Sequence, residues 1–323
     1  MVPESSRPGG VGAEAGQSGS MPFVGIPSFL KLPVVPPDAP GWHFLILGLP
    51  YDEGASNRPG ARFGPRAIRN ASTLYSYEGG AELFDVELGR KILTGARIAD
   101  AGDVPIVPGG GRQNREAISD AVRRILASGA IPVCLGGDHS VSAPVLRAVS
   151  DSSATPHLVH LDTHMDFDSY LPPHTHGTPI RHAIEEGLVS GVTQIGIRGL
   201  NSGHEDWLEA RRRGVRVVTA REFRTRGSAH ALEQVPEEEA LYLSIDIDVF
   251  DPSIAPGTGT PEPGGLGYPE VVELVRELAR RGPILGVDLV EVNPAYDHGE
   301  ITAILAARLL LDVMGAVWEA RSG

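Results

Sequence analysis

Cysteine is almost missing from this sequence. Cys134 is the single one in 323 residues, which excludes an intrachain disulfide and predicts a reducing, cytoplasmic setting. It lies in the apolar run Ile131-Pro132-Val133-Cys134-Leu135, where a buried, inert thiol is expected rather than a nucleophile. Positive charge is the minority sign, 28 Lys and Arg against 41 Asp and Glu, for a formal net charge of −13. That balance repels phosphates and anionic lipid, so neither nucleic acid nor a membrane surface is an expected partner. No run reaches the roughly 18 uninterrupted apolar residues of a membrane span. The opening residues MVPESSRPGGVGAEAGQSGS have neither the basic start nor the apolar centre of a signal peptide. Their composition predicts a disordered tail over 1–20, followed by one folded domain over 21–323.

What the sequence does contain is a series of short apolar runs. With 41% hydrophobic and 21% charged residues, the balance is that of a soluble globular protein with a sizeable core. Runs at 44–48, 131–135, 158–161, 193–197, 215–218, 241–247 and 284–290, with a weaker one at 96–100, are too short for helices and too continuous for half-exposed strands. Between most of them lie segments of helical spacing, such as Arg115 to Leu126, Tyr268 to Leu278 with Pro269 at its start, and Glu300 to Met314. Alternation of this kind predicts an α/β fold, a mainly parallel sheet of roughly eight strands covered by helices on both faces.

In open parallel sheets the functional site lies beyond the carboxyl ends of the strands. The residues found there are Gly136-Gly137-Asp138-His139-Ser140, Asp162-Thr163-His164-Met165-Asp166-Phe167-Asp168, Asp246-Ile247-Asp248, and Asp288 with Glu291. Carboxylates gathered at one sheet edge repel one another unless cations neutralise them. In extended chain, side chains alternate, so Asp162, His164 and Asp166 share one side, as do Asp246 and Asp248, with His139 as a sixth ligand. Hard carboxylates with two imidazoles suit two divalent ions such as Mn²⁺ better than thiolate-seeking zinc. Such a pair, about 3.5–4 Å apart, can share and ionise a bridging water. Taken singly, an Asp-x-Asp pair or a glycine-rich turn is as readily a cap or a packing device; the combination is what points to metal.

The motifs GGDHS at 136–140, HLDTHMDFD at 160–168 and SIDIDVFDPSIAPGTGTPEPGG at 244–265 resemble the signatures of the ureohydrolase (arginase/agmatinase) family. The likeness runs from about Phe23 to the C-terminus and includes PGARFGPRAIR at 59–69, HGTPIRH at 176–182 and EVNPAYDHGEIT at 291–302. It implies a single three-layer αβα, arginase-like domain and a hydrolase acting on C–N bonds of linear amidines. One ion would be held by His139, Asp162, Asp166 and Asp246, the other by His164, Asp162, Asp246 and Asp248, with Asp162 and Asp246 bridging. Mn²⁺ is the expected ion and Ni²⁺ the alternative. The resemblance also implies that Glu291 clamps the guanidinium, that His176 shuttles protons, and that the chain assembles as a homo-oligomer, a trimer or hexamer.

Substrate choice is where this sequence departs. Thr163 and Met165 replace commoner residues between the ligands, but extended backbone would turn both away from the metals. The stretch Asp168-Ser169-Tyr170-Leu171-Pro172-Pro173 lacks the pattern with which arginases hold an α-amino acid head. Asp168 suits a distal ammonium, so an agmatine-like substrate is the leading expectation; 4-guanidinobutyrate, guanidine or another guanidino acid is the alternative. His174 and His182 are expected at the rim and on a helix surface. A different class of reading, a catalytically silent ligand-binding subunit on the same fold, has no need of all six ligands.

Overall fold

Every strand expected from an apolar run is present, and the runs form one sheet. In this computed structural model, which describes residues 21–77, 79–152 and 155–322, the chain passes through β1 (Phe44–Gly48), α1 (Gly64–Ser72), β2 (Leu83–Asp85), β3 (Arg90–Ile92) and β4 (Ile98–Asp103). It continues through α2 (Gly111–Ala127), β5 (Ile131–Leu135), α3 (Ser142–Ser152), β6 (His157–Leu161), α4 (Pro179–Glu185) and β7 (Gly191–Ile197). The last part comprises α5 (His204–Arg212), β8 (Arg216–Thr219), α6 (Ala220–Leu232), β9 (Leu241–Asp246), α7 (Tyr268–Arg281), β10 (Ile284–Val290) and α8 (Ile301–Ser322). The expected tail over 1–20 lies outside the described residues.

Eight strands run in the order β4-β1-β5-β10-β9-β6-β7-β8, every neighbouring pair parallel. Because parallel neighbours need crossovers, both faces are covered, and this explains why the strands read as unbroken apolar runs. Phe44 and Ile46 of β1 pack with α1, α7 and α8 on one face; Leu45 and Leu47 pack with residues of α2, α3 and α4 on the other. The three-layer α/β architecture is therefore as expected. A separate antiparallel hairpin of β2 and β3 escaped sequence reading, because Leu83-Phe84-Asp85 and Arg90-Lys91-Ile92 are short and largely exposed and carry no apolar run.

Helix α8 is long and apolar enough in composition to cross a membrane. Arg308 and Asp312 interrupt it, however, and most of its residues are buried against the core, as befits the central helix of one face. Cys134 is fully buried, and burial pushes its thiol well up, in keeping with an inert core residue.

One polar cluster sits within this apolar frame. The Arg69 guanidinium makes a paired contact with Asp100 at 2.7 and 2.9 Å and also reaches Asp103 at 2.5 Å. Asp100, only 1% exposed, also accepts from the Phe29 amide at 2.8 Å. Asp100→Ala would take the paired carboxylate from a buried guanidinium, leaving it Asp103 and the Gly102 carbonyl, and is expected to cost about 3 kcal/mol of stability. A lowered urea midpoint with unchanged slope checks this.

Candidate metal centre

The four central strands, β5, β10, β9 and β6, are neighbours in the sheet, and their carboxyl ends deliver all the expected acidic and imidazole groups to one place. After β5 the chain turns through Gly136 and Gly137. A Cβ on Gly137 would lie 1.7 Å from the Tyr51 carbonyl oxygen, so only glycine lets the 50–54 segment cross here. Asp138 then ties that segment down, accepting from the Gly54 amide at 2.7 Å and the Ser140 amide at 2.9 Å. Burial and then the charge of Glu291 push Asp138 up to about 7.

His139, 1% exposed, aims Nδ1 at three carboxylate oxygens: Asp166 Oδ2 at 3.0 Å, Asp162 Oδ2 at 3.1 Å and Asp246 Oδ2 at 3.2 Å. Its Nε2 lies 2.9 Å from the Ser244 hydroxyl, which donates its only proton to Asp288 at 2.6 Å. Asp288 also accepts from the Tyr242 hydroxyl at 2.7 Å. With that proton spent, Ser244 accepts from His139 Nε2–H, which leaves the Nδ1 lone pair facing the carboxylates. A lone pair against three anionic oxygens is repulsive unless a cation lies between them. His139 Nδ1, Asp162 Oδ2 and His160 Nε2 are buried and lack a well-formed hydrogen bond, although the last two are 2.9 Å apart. Bonds with the wrong angles at the right distances suit a shared cation.

A second group adjoins the first. His164 Nδ1 is 3.1 Å from Asp248 Oδ2 and 3.5 Å from Asp162 Oδ1, so the two oxygens of Asp162 face different imidazoles. Asp246 Oδ1 accepts from the Asp248 amide at 2.8 Å. Burial, then Asp248 and Asp162, raise Asp246 well above the carboxylate range. Although burial works against a charged imidazole, Asp166, Asp162 and Asp246 draw His139 well above its usual value. The cluster thus demands positive charge, which divalent cations would supply better than protons. Histidine and aspartate alone, without a thiolate, make a donor set for hard or borderline ions, and the arrangement is compatible with a binuclear divalent site.

Opposite these groups stands Glu291, with φ of 64°. A glutamate adopts that left-handed backbone only where its surroundings enforce it. Its Oε1 accepts from the His139 amide at 2.9 Å and lies 3.1 Å from His176 Nδ1. Burial disfavours a charged His176, but the bond to Glu291 and its charge, then Asp166 and Asp138, outweigh it and raise the ring to about 9. The cavity between the groups is about 380 Å³ and also receives Asn57, Asp168, Tyr170, Asn201 and Thr260.

Six of the eight residues singled out from the sequence line this cavity, and Asp162 and Asp248 stand behind them against His139 and His164, while His174 and His182 do not line it. Those two stack on each other with ring centroids 4.4 Å apart. One expectation needs correcting. Met165, expected to point away, packs in the core but also lines the cavity, since the chain leaves strand geometry after Leu161 and bends at 163–164. The Asp251–Gly265 loop contributes Thr260 to the wall, and its Glu262 carbonyl accepts from the Arg198 guanidinium at 2.8 Å, as does the Asp248 carbonyl just before it. Sequence reading missed His160, fully buried beside Asp162 and held through Nδ1 by the Gln194 amide at 3.1 Å. The only signal was a second histidine, after His157, in a strand whose other residues are apolar.

The sequence pattern of the Arginase family matches residues 43–315. The chain belongs to the arginase family. Among its relatives is proclavaminate amidinohydrolase of Streptomyces clavuligerus, 40% identical over 297 residues, which cover 89% of this chain and 91% of that protein. The solved structure of that name superposes with a TM-score of 0.85 at 38% identity, covering 93% of this chain and all of the other. Guanidinopropionase of Pseudomonas aeruginosa is 38% identical, covering 90% of this chain and 92% of its own length. Mitochondrial agmatinase of Gallus gallus is 39% identical, with 90% and 85% covered. Fold, family and a hydrolase active site of this class thus coincide with the His/Asp cluster.

Proposed function

We propose that this arginase-family chain hydrolyses a small guanidino acid to urea and an amine. The observation that carries the reading is the bare Nδ1 of His139 among three carboxylate oxygens, in a cavity that a glutamate–histidine pair also lines. His139, Asp162, Asp166 and Asp246 would hold one divalent ion. His164, Asp162, Asp246 and Asp248 would hold a second, with Mn²⁺ the expected metal and Ni²⁺ the alternative. When bound, such ions supply Lewis acidity and acidify water at neutral pH.

The chain's own residues do the rest. Glu291 Oε1 is occupied by His139 and His176, while Oε2 has no hydrogen-bond partner among the described residues, so it accepts from the planar guanidinium. His176 sits beside that carboxylate and moves the proton that the departing amine needs. Ser244 and Asp288 keep the His139 tautomer fixed, as partners behind a ligand imidazole do. A homo-oligomer in the cytoplasm belongs to the same reading.

The preference for an acid over agmatine rests on two supports. Of the relatives named above, two carry names of amidino or guanidino substrates that bear a carboxylate. Asp168, the reason to expect an ammonium, is occupied with the loop that carries His176. Its amide donates to the Gly177 carbonyl at 2.9 Å, and its carboxylate is packed so closely that a Cβ on Gly177 would come within 2.6 Å. Burial and then Asp166 raise it to about 6, which weakens it further as a fixed anion. Agmatine remains the second reading, favoured by that same carboxyl at the cavity wall.

A urea assay of Mn²⁺- or Ni²⁺-loaded protein over 3-guanidinopropionate, 4-guanidinobutyrate, agmatine, arginine and guanidine tests this. The expected result is a kcat/KM for a guanidino acid at least about tenfold above agmatine. Higher efficiency with agmatine would overturn the substrate class, and urea from none of them would favour a silent binding subunit.

A further inference from the structure

Helix α2 turns one face toward a second cavity, away from the metal centre. Arg112, Arg115, Glu116, Asp120 and Arg123 line it and recur at spacings of three and four residues, which brings them to a common helix face. Arg147 of α3, His174 and Glu186 complete the wall; the cavity holds about 540 Å³ and shares no lining residue with the metal cavity. Three of the four arginines are paired. Arg112 meets Glu116 at 2.8 Å, Arg123 meets Asp120 at 2.6 Å and Asp151 at 3.0 Å, and Arg147 meets Glu186. Arg115 is half-buried, yet its guanidinium makes no hydrogen bond or ion pair among the described residues. Part of its desolvation is therefore uncompensated. Burial first, and then the charges of Arg115, His182 and Arg147, push His174 down to about 4, so that ring is neutral at pH 7 and the positive potential comes from the arginines.

We propose that this cavity binds a small amino acid, its carboxylate on Arg115 and its ammonium between Glu116 and Asp120. Four arginines against three lining carboxylates leave a single positive charge, in a chain whose net charge is −13. One surplus charge matches one carboxylate. A phosphate or sulfate dianion would bring its second charge against Glu116, Asp120 and Glu186, and like charges in contact are costly. The acids have capacity of their own. Glu116 and Asp120 accept from arginine through Oε1 and Oδ1, while their Oε2 and Oδ2 have no hydrogen-bond partner among the described residues. An ammonium donates to such oxygens, and a guanidinium pairs both oxygens of a carboxylate. Glu116 follows Arg115 directly and Asp120 stands one turn beyond Glu116, within reach of the opposite end of one short molecule.

Calorimetric titration of the full metal-loaded chain with glycine, β-alanine and 4-aminobutyrate tests this. It is run on wild-type protein and on Glu291→Gln, which takes from the metal cavity the anion that an ammonium would pair with. At least one of the three amino acids is expected to bind both proteins. In the Glu291→Gln chain, adding Arg115→Gln should weaken that binding at least about tenfold and adding Glu116→Gln about threefold or more. Butyrate, butylamine and sulfate, none of which carries both charges, should bind at least about tenfold more weakly than the amino acid. Arg115 has no partner to lose, so the thermal melt of R115Q should match its parent. The proposal is overturned if none of the amino acids binds, if R115Q binds as tightly as its parent, or if butyrate, butylamine or sulfate binds as tightly as the amino acid. Binding is read without turnover, so a wild-type chain that releases no urea would end the hydrolytic reading and leave this result standing apart from it.

Discussion

Asp162→Asn should abolish urea release, because among the described residues only the Asp162 carboxylate lies within 3.5 Å of Nδ1 of both His139 and His164. Oδ2 lies 3.1 Å from His139 Nδ1 and Oδ1 3.5 Å from His164 Nδ1. The change removes one negative charge and places an amide NH₂ at one of two positions meant for cations. Replacing a group behind a metal ligand costs about 10–100-fold in affinity or activity, so losing a shared ligand should cost well over about 100-fold. The fold should survive, since Asp162 lies just beyond β6 and asparagine nearly matches its volume. Steady-state urea production alongside a circular dichroism melt checks both halves. An active variant with a normal melt would remove Asp162 from the chemistry.

Glu291→Gln is expected to leave metal binding in place and destroy substrate capture. The amide oxygen of glutamine can still accept from the His139 amide, the contact that measures 2.9 Å here. What disappears is the charge that pairs with a guanidinium and the oxygen left free for it. Truncating one side of a buried charged pair costs about 2–5 kcal/mol, so kcat/KM should fall by roughly 10²–10³-fold. The nearby His176 would also lose the anion that does most to hold its ring up near 9, and its titration should move down. Unchanged metal content with lost turnover distinguishes this variant from the Asp162 one; lost metal would make Glu291 a supporting ligand instead.

The sheet was legible in advance because a strand buried on both faces must be largely apolar; Phe44–Gly48 and Ile131–Leu135 meet that demand throughout, and Ile284–Val290 departs from it only at Asp288. The hairpin was not, since an exposed two-stranded ribbon imposes no such demand on Phe84 or Lys91. The convergence of the proposed ligands was legible for a reason only partly correct. Strand alternation was to put Asp162, His164 and Asp166 on one side, yet β6 ends at Leu161, the chain bends at 163–164 and is left-handed at Asp166, and a 3₁₀ turn covers Ile247–Val249. The outcome agrees because the carboxylates belong to chain just past the strand ends, where backbone is free to turn. Met165 shows where the same rule misleads: alternation sends it outward and the turn brings it to the cavity. His160 could not be found by spacing at all. It is one of two histidines in the short strand His157–Leu161, with nothing in its spacing to set it apart from the other.

The claim beneath all of this is that the cluster of His139, Asp162, His164, Asp166, Asp246 and Asp248 exists to hold two cations. Elemental analysis of protein dialysed against Mn²⁺ and then freed of loose metal addresses it directly. The account predicts two ions per wild-type chain, fewer in Asp162→Asn, and urea release that disappears on chelation and returns with added metal. A chain that retains no divalent ion, or that turns over a guanidine equally well after exhaustive chelation, would contradict it.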